Sequence, residues 1–195
     1  MSAPPAPPLL LASRSPQRRA ILEQLGIPFE VVAPQWEELA GEPTETVRAN
    51  ALGKARSVAP GGPGARPVLG VDTEVVVDGR VFGKAENEAE AEAMLEALAG
   101  RTHEVVSGLC LITPGWEVVE HEVTKVTFRP LDARDLAAYV SFGEWEGRAG
   151  AYAVQGRGSA LVERIEGDYL NVVGLPAALL VRLLAERFPG VYGFG

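Results

Sequence analysis

Apolar and polar residues alternate along the chain in blocks that predict short strands and amphipathic helices in mixed order. The apolar run 9–12 indicates a buried strand. Ser15 and Pro16 follow it in the positions preferred for a helix N-cap and a first helical turn, and Gly26 is suited to end that helix in a left-handed conformation. The same patterns predict helices at 44–59, 86–98, 132–142 and 176–188, and strands at 29–33, 68–77, 81–82, 104–113, 116–128, 152–155 and 160–165.

Two dipeptides mark tight turns between predicted strands. Asp78-Gly79 is a strong signal for a two-residue hairpin, and Pro114-Gly115 joins the two long strands that follow. Strand–helix–strand units and hairpins in one chain indicate the α/β class, with a mixed, twisted sheet and flanking helices. Residues 1–8, rich in proline and alanine, are expected to form a flexible tail, 60–67 a loop, and 9–195 a single domain.

The composition limits the kinds of binding partner and the cellular compartment that are expected for this protein. The net charge of −8 argues against non-specific binding to nucleic acid or to an anionic membrane, because the summed field repels polyanions. The lone cysteine, Cys110, lies in an apolar run and is expected in the core, so no disulfide framework is expected and a reducing compartment fits. The first residues show no basic leader pattern, and a cytoplasmic protein is therefore expected.

The loop and helix start after the first strand carry positive charge against this acidic background. Ser13, Arg14 and Ser15 form the predicted loop, and Arg18 and Arg19 lie in the first turns of the helix. Hydroxyls, backbone N–H groups and guanidiniums thus collect at a helix N-terminus, where anions are favoured. The segment predicts a phosphate site. The alternative is an ordinary strand–helix connection with solvated arginines.

Three further charged side chains are candidates for chemistry. Asp72 lies inside an apolar strand, where a carboxylate is unfavourable unless it is paired or binds a metal, although an aspartate at a strand end can also bond to local backbone. Lys84 follows the hairpin and is either a functional cation or a surface lysine. Lys54 lies within a predicted helix, and taken alone it is expected to be solvated.

Two polar positions outside these segments have both a functional and a plain interpretation. Glu37 and Glu38 lie in a stretch without clear periodicity, and they either supply a metal carboxylate or are simply exposed. Gln155 precedes a glycine-rich turn, where an amide can read the edge of a base or cap the turn.

Several familiar catalytic patterns are missing from the sequence. It contains no Walker A pattern, no dinucleotide-binding glycine motif, no metal-type Cys/His spacing and no nucleophile elbow, and His103 and His121 are expected to be structural or exposed. Cations and carboxylates without a nucleophile–base pair remain. That inventory suits hydrolysis of a phosphoanhydride by water, in which cations hold phosphates and carboxylates hold Mg²⁺ or Mn²⁺.

A series of short motifs resembles the Maf family of nucleoside triphosphate pyrophosphatases over about residues 9–188. The motifs are LASRSPQRRAILEQLG, the helix 47–55 with Lys54, GVDTEVV, GKA at 83–85, GRTHEVVSG at 100–108, GRAGAYAVQGRG at 147–158 and ERIEGDYLNVVGLP at 163–176. Each motif alone is weak, and their order and spacing together are specific.

The resemblance implies a fold of the inosine-triphosphate-pyrophosphatase type, with a cleft between two lobes. It implies hydrolysis between the α- and β-phosphates with a divalent cation, Mg²⁺ or Mn²⁺. Asp72 matches the family's proposed proton acceptor. The resemblance assigns Arg18, Lys54 and Lys84 to the triphosphate, with the Ser13-Arg14-Ser15 loop beside them, and Glu38 with Asp72 to the metal and its water.

Substrate choice in the family looks tied to three positions, which are Gln17, Thr73 and Gln155 in this chain. Thr73 and Gln155 resemble the branch that acts on dTTP and UTP. Gln17 departs from that branch, which usually has arginine there, and Ala85 stands where the family often has proline. The expected substrates are dTTP, UTP and modified pyrimidine nucleotides, and a paralogue acting on 7-methyl-GTP is an alternative.

A regulatory nucleotide-binding protein of septum formation, with little turnover, is the competing hypothesis from another class of function. The acidic balance and the lack of a basic stripe with aromatic residues disfavour a nucleic-acid partner. No membrane partner is expected, and the resemblance to the Maf family implies a homodimer.

Overall fold

The computed structural model describes residues 6–59 and 66–194. Within these residues seven strands form one sheet in the order β2–β1–β3–β5–β6–β7, and β4 pairs with β3. The strands are β1 (Leu9–Ala12), β2 (Phe29–Val32), β3 (Val68–Val77), β4 (Arg80–Phe82), β5 (Thr102–Thr113), β6 (Trp116–Phe128) and β7 (Val162–Glu166). The helices are α1 (Pro16–Gln24), α2 (Pro43–Val58), α3 (Glu88–Leu98), α4 (Ala133–Val140), α5 (Tyr169–Val173) and α6 (Ala177–Arg187).

The sheet is mixed, as the sequence predicts. β1 pairs in parallel with β2 and with β3, whereas β3 pairs with β4 and β6 with β7 in antiparallel fashion. The β3–β4 turn uses Asp78 and Gly79 at φ of 50° and 73°, the positive values that a type I′ hairpin turn requires. The predicted α/β class is therefore confirmed.

Local signals in the sequence set the ends of α1. The Ser15 side chain accepts a hydrogen bond from the Arg18 backbone N–H as the N-cap, and Pro16 occupies the first turn. Gly26 follows the helix at a φ of 66°, as predicted. The N-terminus of α1 consequently lies at the carboxyl end of β1, where parallel strands bring their following loops together.

Two glycines let α2 approach the sheet closely. A Cβ on Gly70 of β3 would lie 2.1 Å from the Ala51 carbonyl oxygen, and one on Gly108 of β5 would lie 2.1 Å from that of Val47. Neither position tolerates a side chain without a backbone shift. This close contact fixes the position of α2 along β3.

The described residues fall into two compact units. The first contains the described residues of Met1–Asp72, Ser107–Glu122 and Gly174–Gly195, and the second contains Thr73–Val106 and Val123–Val173. Ala51, Ala55, Val68, Cys110 and Ile112 form one apolar cluster of the first unit. The core of the second unit includes Phe82, Leu95, Phe128, Leu136 and Tyr152.

The predicted strand at 152–155 is wrong, and the strand predicted from 160 begins only at Val162. Gly156–Leu161 forms a 3-10 helix between them. Side chains take the backbone donors that a neighbouring strand would need: the Tyr139 hydroxyl accepts from Ala153 N, and the Glu144 carboxylate accepts from the N–H groups of residues 157 and 158. The sequence patterns also miss α5, a helix of five residues.

Other predicted boundaries need smaller changes or cannot be compared. α3 begins at Glu88 rather than at 86, because the Asn87 side chain caps it by accepting from Glu90 N. Of the predicted tail and loop, residues 1–5 and 60–65 lie outside the described residues. The Pro7 and Pro8 carbonyls accept hydrogen bonds from the Tyr192 hydroxyl and Arg66 Nε. Among the described helices, none is long and apolar enough to cross a membrane.

Candidate active site

The loop between β1 and α1 is held by its own hydroxyls. The buried Ser13 Oγ accepts hydrogen bonds from Ser15 N and from Arg18 Nη1, both at 3.1 Å. Ser15 Oγ donates to Gln17 Oε1 at 3.0 Å. Arg14 is exposed. The loop thus presents hydroxyls and one exposed guanidinium at the start of a helix.

Arg18 is anchored from two sides. Its Nε donates to the Gly174 carbonyl oxygen at 2.8 Å while Nη1 donates to Ser13. Burial lowers the pKa of the guanidinium from its ordinary value, and the carboxylates of Asp72 and Glu38 act in the opposite direction. An arginine remains charged under these conditions, so a fixed cation lies near two carboxylates.

Lys54 joins those two carboxylates. Its ammonium Nζ lies 2.6 Å from Asp72 Oδ1 and 2.5 Å from Glu38 Oε1. The expectation of a solvated lysine is wrong, because only 7% of Lys54 is exposed. The α2–β3 contact at Gly70 places α2 directly against the strand that carries Asp72, and the helix turns this lysine toward it.

Asn50 completes what we call the charged cluster, which consists of Asn50, Lys54, Asp72 and Glu38. Its Nδ2 donates to Asp72 Oδ2 at 2.9 Å, and the residue is 1% exposed. The sequence-based predictions missed it. The available signal was spacing, since residues four apart on a helix share a face and Asn50 precedes Lys54 by four.

The side chains of the charged cluster differ in their exposure to solvent. The side chains of Lys54 and Asp72 are each 9% exposed, whereas that of Glu38 is 58% exposed. A buried ion pair therefore continues to an acidic group that solvent and small ligands reach. Such a pair needs further hydrogen bonds to be tolerated, and Asn50 supplies one.

The remaining predicted site residues belong to the second unit. Thr73 follows Asp72 in β3 and is half-buried, and Lys84 and Gln155 are exposed. Lys84 forms an isolated antiparallel backbone bridge with Ala149. The site roles of these three residues stay predictions.

The cysteine and the histidines have the structural character that the sequence predicts. Cys110 is fully buried, and burial raises the pKa of its thiol to about 12, which makes it a poor nucleophile at neutral pH. His103 is buried in the second unit, where its Nε2 shares a hydrogen bond with the Tyr152 hydroxyl at 2.9 Å, and burial lowers its pKa to about 4. His121 is exposed.

The donor set of the charged cluster suits a hard divalent cation. In the described parts of the chain no group of three or more His, Cys, Asp or Glu side chains could hold a metal by itself. Asp72 and Glu38 nevertheless direct one oxygen each to a common point, which the Lys54 ammonium occupies. Mg²⁺ is commonly bound by one or two carboxylates together with substrate phosphates, so this pair fits it.

The fold and the cluster together define an α/β protein with a cationic loop after the parallel strand β1 and, in the neighbouring strand β3, a carboxylate joined through Lys54 to a second one. A HAM1 protein from Coxiella burnetii has a similar fold: the TM-score is 0.51 at 18% identity, over 92% of this chain and 99% of that one. A sequence model described as Maf-like protein matches residues 8–187. The chain therefore belongs to the Maf family.

Relatives in this family have named activities. A dTTP/UTP pyrophosphatase of Symbiobacterium thermophilum is 49% identical over 181 residues, covering 91% of this chain and 93% of the relative. A dTTP/UTP pyrophosphatase of Nitratidesulfovibrio vulgaris is 48% identical over 187 residues, covering 93% and 89%. The similarity thus extends over nearly the whole length of each protein.

Proposed function

We propose that this protein hydrolyses nucleoside triphosphates, foremost dTTP and UTP, at the α–β phosphoanhydride and releases a nucleoside monophosphate and pyrophosphate. The observation that carries the proposal is the meeting of Lys54, Asp72 and Glu38 beside the anchored Arg18. The named activity of relatives at 48–49% identity supports it. Cations and carboxylates in contact are the parts that phosphoryl chemistry needs.

The cations of the first unit act on the triphosphate in this proposal. Arg18 is pre-ordered by Ser13 and Gly174, so little entropy is lost when it pairs with a phosphate. Backbone N–H groups at the start of α1 and the hydroxyls of Ser13 and Ser15 add neutral donors, and Arg14 adds an exposed cation. Lys54 reaches the phosphates from α2, and Lys84 joins them as the resemblance implies.

Asp72 orients the attacking water in this proposal, and Glu38 with Asp72 holds the divalent cation, Mg²⁺ or Mn²⁺. When bound, that cation polarises phosphate oxygens and acidifies water. An aspartate is a weak base at neutral pH, so the role of Asp72 is to direct the water lone pair at phosphorus rather than to store its proton. The water oxygen bonds to the α-phosphorus as the bond from that phosphorus to the bridging oxygen breaks, the bridging oxygen leaves with pyrophosphate, and the proton of the water passes to solvent.

Gln17, Thr73 and Gln155 are the proposed specificity positions. Gln17 is tied to Ser15 through its Oε1, so its amide is held beside the α1 N-terminus. An amide at this position hydrogen-bonds a base or ribose without adding the charge that arginine would bring. We expect dTTP and UTP to remain substrates, with modified pyrimidine triphosphates as further ones.

The wider setting of the protein is part of the same proposal. We place the enzyme in the cytoplasm as a single domain, and as a homodimer without a nucleic-acid or membrane partner. Its role is then to remove unwanted nucleotides from the pool.

The direct test measures pyrophosphate and orthophosphate separately after incubation with Mg²⁺ or Mn²⁺ and a panel of dTTP, UTP, 7-methyl-GTP and modified pyrimidine triphosphates. We expect pyrophosphate from dTTP and UTP, and a loss of about 100-fold or more in Asp72→Asn, a range typical of removing a group that acts on the reacting water. Orthophosphate as the first product would contradict the proposed cleavage. Tight nucleotide binding without turnover would support the regulatory hypothesis instead.

A further inference from the structure

Asn50 links the charged cluster to its surroundings and uses both ends of its carboxamide. Its Oδ1 accepts from Trp36 Nε1 at 3.1 Å and from Leu39 N at 2.8 Å. Its Nδ2 donates to the Leu39 carbonyl oxygen at 3.2 Å and to Asp72 Oδ2 at 2.9 Å. Four hydrogen bonds from one buried side chain thus connect a helix, a strand and an irregular segment of the first unit.

The partners allow only one orientation of this amide. Oδ1 faces two N–H donors, while Nδ2 faces two oxygen acceptors, so a flipped amide would place like groups against each other at all four contacts. The Asn50 donor occupies Asp72 Oδ2 and leaves Oδ1 for Lys54. Asn50 therefore fixes which oxygen of Asp72 meets the ammonium.

The segment 36–39 has no regular secondary structure, yet it carries Glu38. Besides the ion pair between Glu38 and Lys54, the segment is anchored by its bonds to Asn50 and by the packing of the Trp36 ring on α2, where a Cβ on Gly53 would lie 2.2 Å from the indole. Glu38 is mostly exposed and would sample many positions without these anchors. The same amide that orients Asp72 therefore also limits where Glu38 can lie.

We propose that Asn50 is a positioning residue for the hydrolysis: its amide sets Asp72 through Nδ2, and it holds the Glu38 segment through Oδ1 and through the second Nδ2 bond, to the Leu39 carbonyl oxygen. This inference rests on the proposed function, since it concerns the same carboxylates. Because misplacement of reacting groups by about 1 Å can lower a rate by about 100-fold, loss of this amide should reduce turnover more than substrate binding.

Asn50→Asp separates the two halves of the amide. The aspartate keeps an acceptor for Trp36 and Leu39 N but replaces the donor to Asp72 and to the Leu39 carbonyl oxygen with a second oxygen. We expect kcat for pyrophosphate release from dTTP to fall by about 100-fold, while KM changes by less than about threefold, because Arg18 and the α1 N-terminus are untouched. Trp36→Phe is the matched control, since it removes the indole donor but leaves the Asn50 amide and its bond to Asp72 in place, and its kcat should fall by less than about tenfold.

A second readout does not depend on activity. The chain has three tryptophans, so indole N–H signals in an NMR spectrum are few, and Trp36→Phe identifies the one at Asn50. That signal should keep its position in Asn50→Asp and move in Asn50→Ala, which removes the acceptor. A signal that moves equally in both variants would show that the two halves of the amide are not separable, and would overturn the proposal.

A reciprocal exchange covers the case in which Asn50→Asp folds poorly. The double variant Asn50→Asp/Asp72→Asn restores one donor and one acceptor at the same contact, and the amide introduced at position 72 still offers an oxygen to Lys54. We expect its thermal midpoint to exceed that of Asn50→Asp by about 3 °C or more, while it stays inactive for lack of the Asp72 carboxylate. If the midpoint shift of the double variant equals the sum of the two single-variant shifts, the proposed contact is wrong.

The outcomes separate this inference from the proposed function. If the wild-type protein releases no pyrophosphate, the proposed function is wrong. Active wild-type protein with wild-type kcat in Asn50→Asp, or a raised KM with unchanged kcat, would overturn the role of Asn50 and leave the hydrolysis standing.

Discussion

Two buried polar clusters, one in each compact unit, differ in charge. In the first unit the charged cluster pairs Lys54 with Asp72 and continues to the exposed Glu38. In the second unit His103 and Tyr152, which we call the neutral pair, are buried with their hydrogen bond among aromatic rings. Burial lowers the pKa of His103 to about 4 and raises that of Tyr152, so both stay uncharged near neutral pH.

The difference shows that burial of a polar group is not by itself a sign of function. The neutral pair adapts to its apolar surroundings by losing charge, which is the ordinary response to a low dielectric. The charged cluster instead pairs both carboxylates with the Lys54 ammonium, near the Arg18 guanidinium and with the Asn50 amide on Asp72, and one of its carboxylates stays open to solvent. We therefore infer a chemical function only for the charged cluster, in which opposite charges are paired and one carboxylate is exposed to solvent.

The largest expected effect is a loss of activity when the charged cluster, rather than the neutral pair, is changed. Lys54→Met removes the ammonium while keeping an unbranched side chain, so Asp72 and Glu38 lose the cation that lies between them. We expect kcat/KM for dTTP to fall by about 1000-fold, as when a transition-state charge loses its partner. The measurement is pyrophosphate release under steady-state conditions.

Lys125→Met is the control for this change, because Lys125 is an exposed lysine of β6. Its kcat/KM should stay within about twofold of wild type, in keeping with a surface substitution. Equal losses in the two variants would mean that general loss of positive charge, rather than the charged cluster, governs the rate.

The next largest effect concerns pH and the neutral pair. The pKa of His103 is 6.5 in its ordinary state and about 4 in the fold, so between these values the unfolded chain binds the proton more readily. Stability therefore falls as the pH falls through this window and is fully regained above it, with a loss of about 3 kcal/mol near the lower limit.

Urea unfolding at neutral pH and at about pH 4 measures this loss in wild type and in His103→Gln, which cannot titrate. The variant should lose about 3 kcal/mol less than wild type over the same interval, because the carboxylates contribute equally to both proteins. Identical losses would assign the acid sensitivity to groups other than His103.

The smallest effect tests the hydrogen bond of the neutral pair. Tyr152→Phe leaves His103 Nε2 without the hydroxyl partner that it has in the wild-type fold. We expect a loss of about 2 kcal/mol in the free energy of unfolding, the usual cost of a buried polar group that lacks its partner. His103→Phe/Tyr152→Phe, which removes both polar groups, should recover part of this loss, and a further loss would contradict the interpretation.

Elements set by neighbouring residues could be predicted from the sequence. The cap at Ser15, the hairpin at Asp78-Gly79 and the long strands β5 and β6 follow from local turn chemistry and periodicity. Residues 152–155 could not be predicted in this way. The acceptors that hold its backbone and that of the turn after it come from earlier parts of the chain: the Tyr139 hydroxyl accepts from Ala153 N, and the Glu144 carboxylate accepts from residues 157 and 158.

The same distinction between local and tertiary information applies to the candidate site. The unfavourable setting of Asp72 in an apolar strand and the collection of cations around α1 are visible in the sequence, because they depend only on residue type and spacing. The sequence alone thus determined the fold class, the motif series and the chemical character of the site residues.

The tertiary structure decided which of these residues meet. Lys54 is expected to be solvated from its helical context, and it is buried because Gly70 and Gly108 let α2 lie against β3 and β5. The same contact directs Asn50 to Asp72 and brings the Glu38 segment to Lys54. Distances between side chains on different elements depend on how closely the backbones pack, and that closeness is a property of the folded chain rather than of any local run of residues.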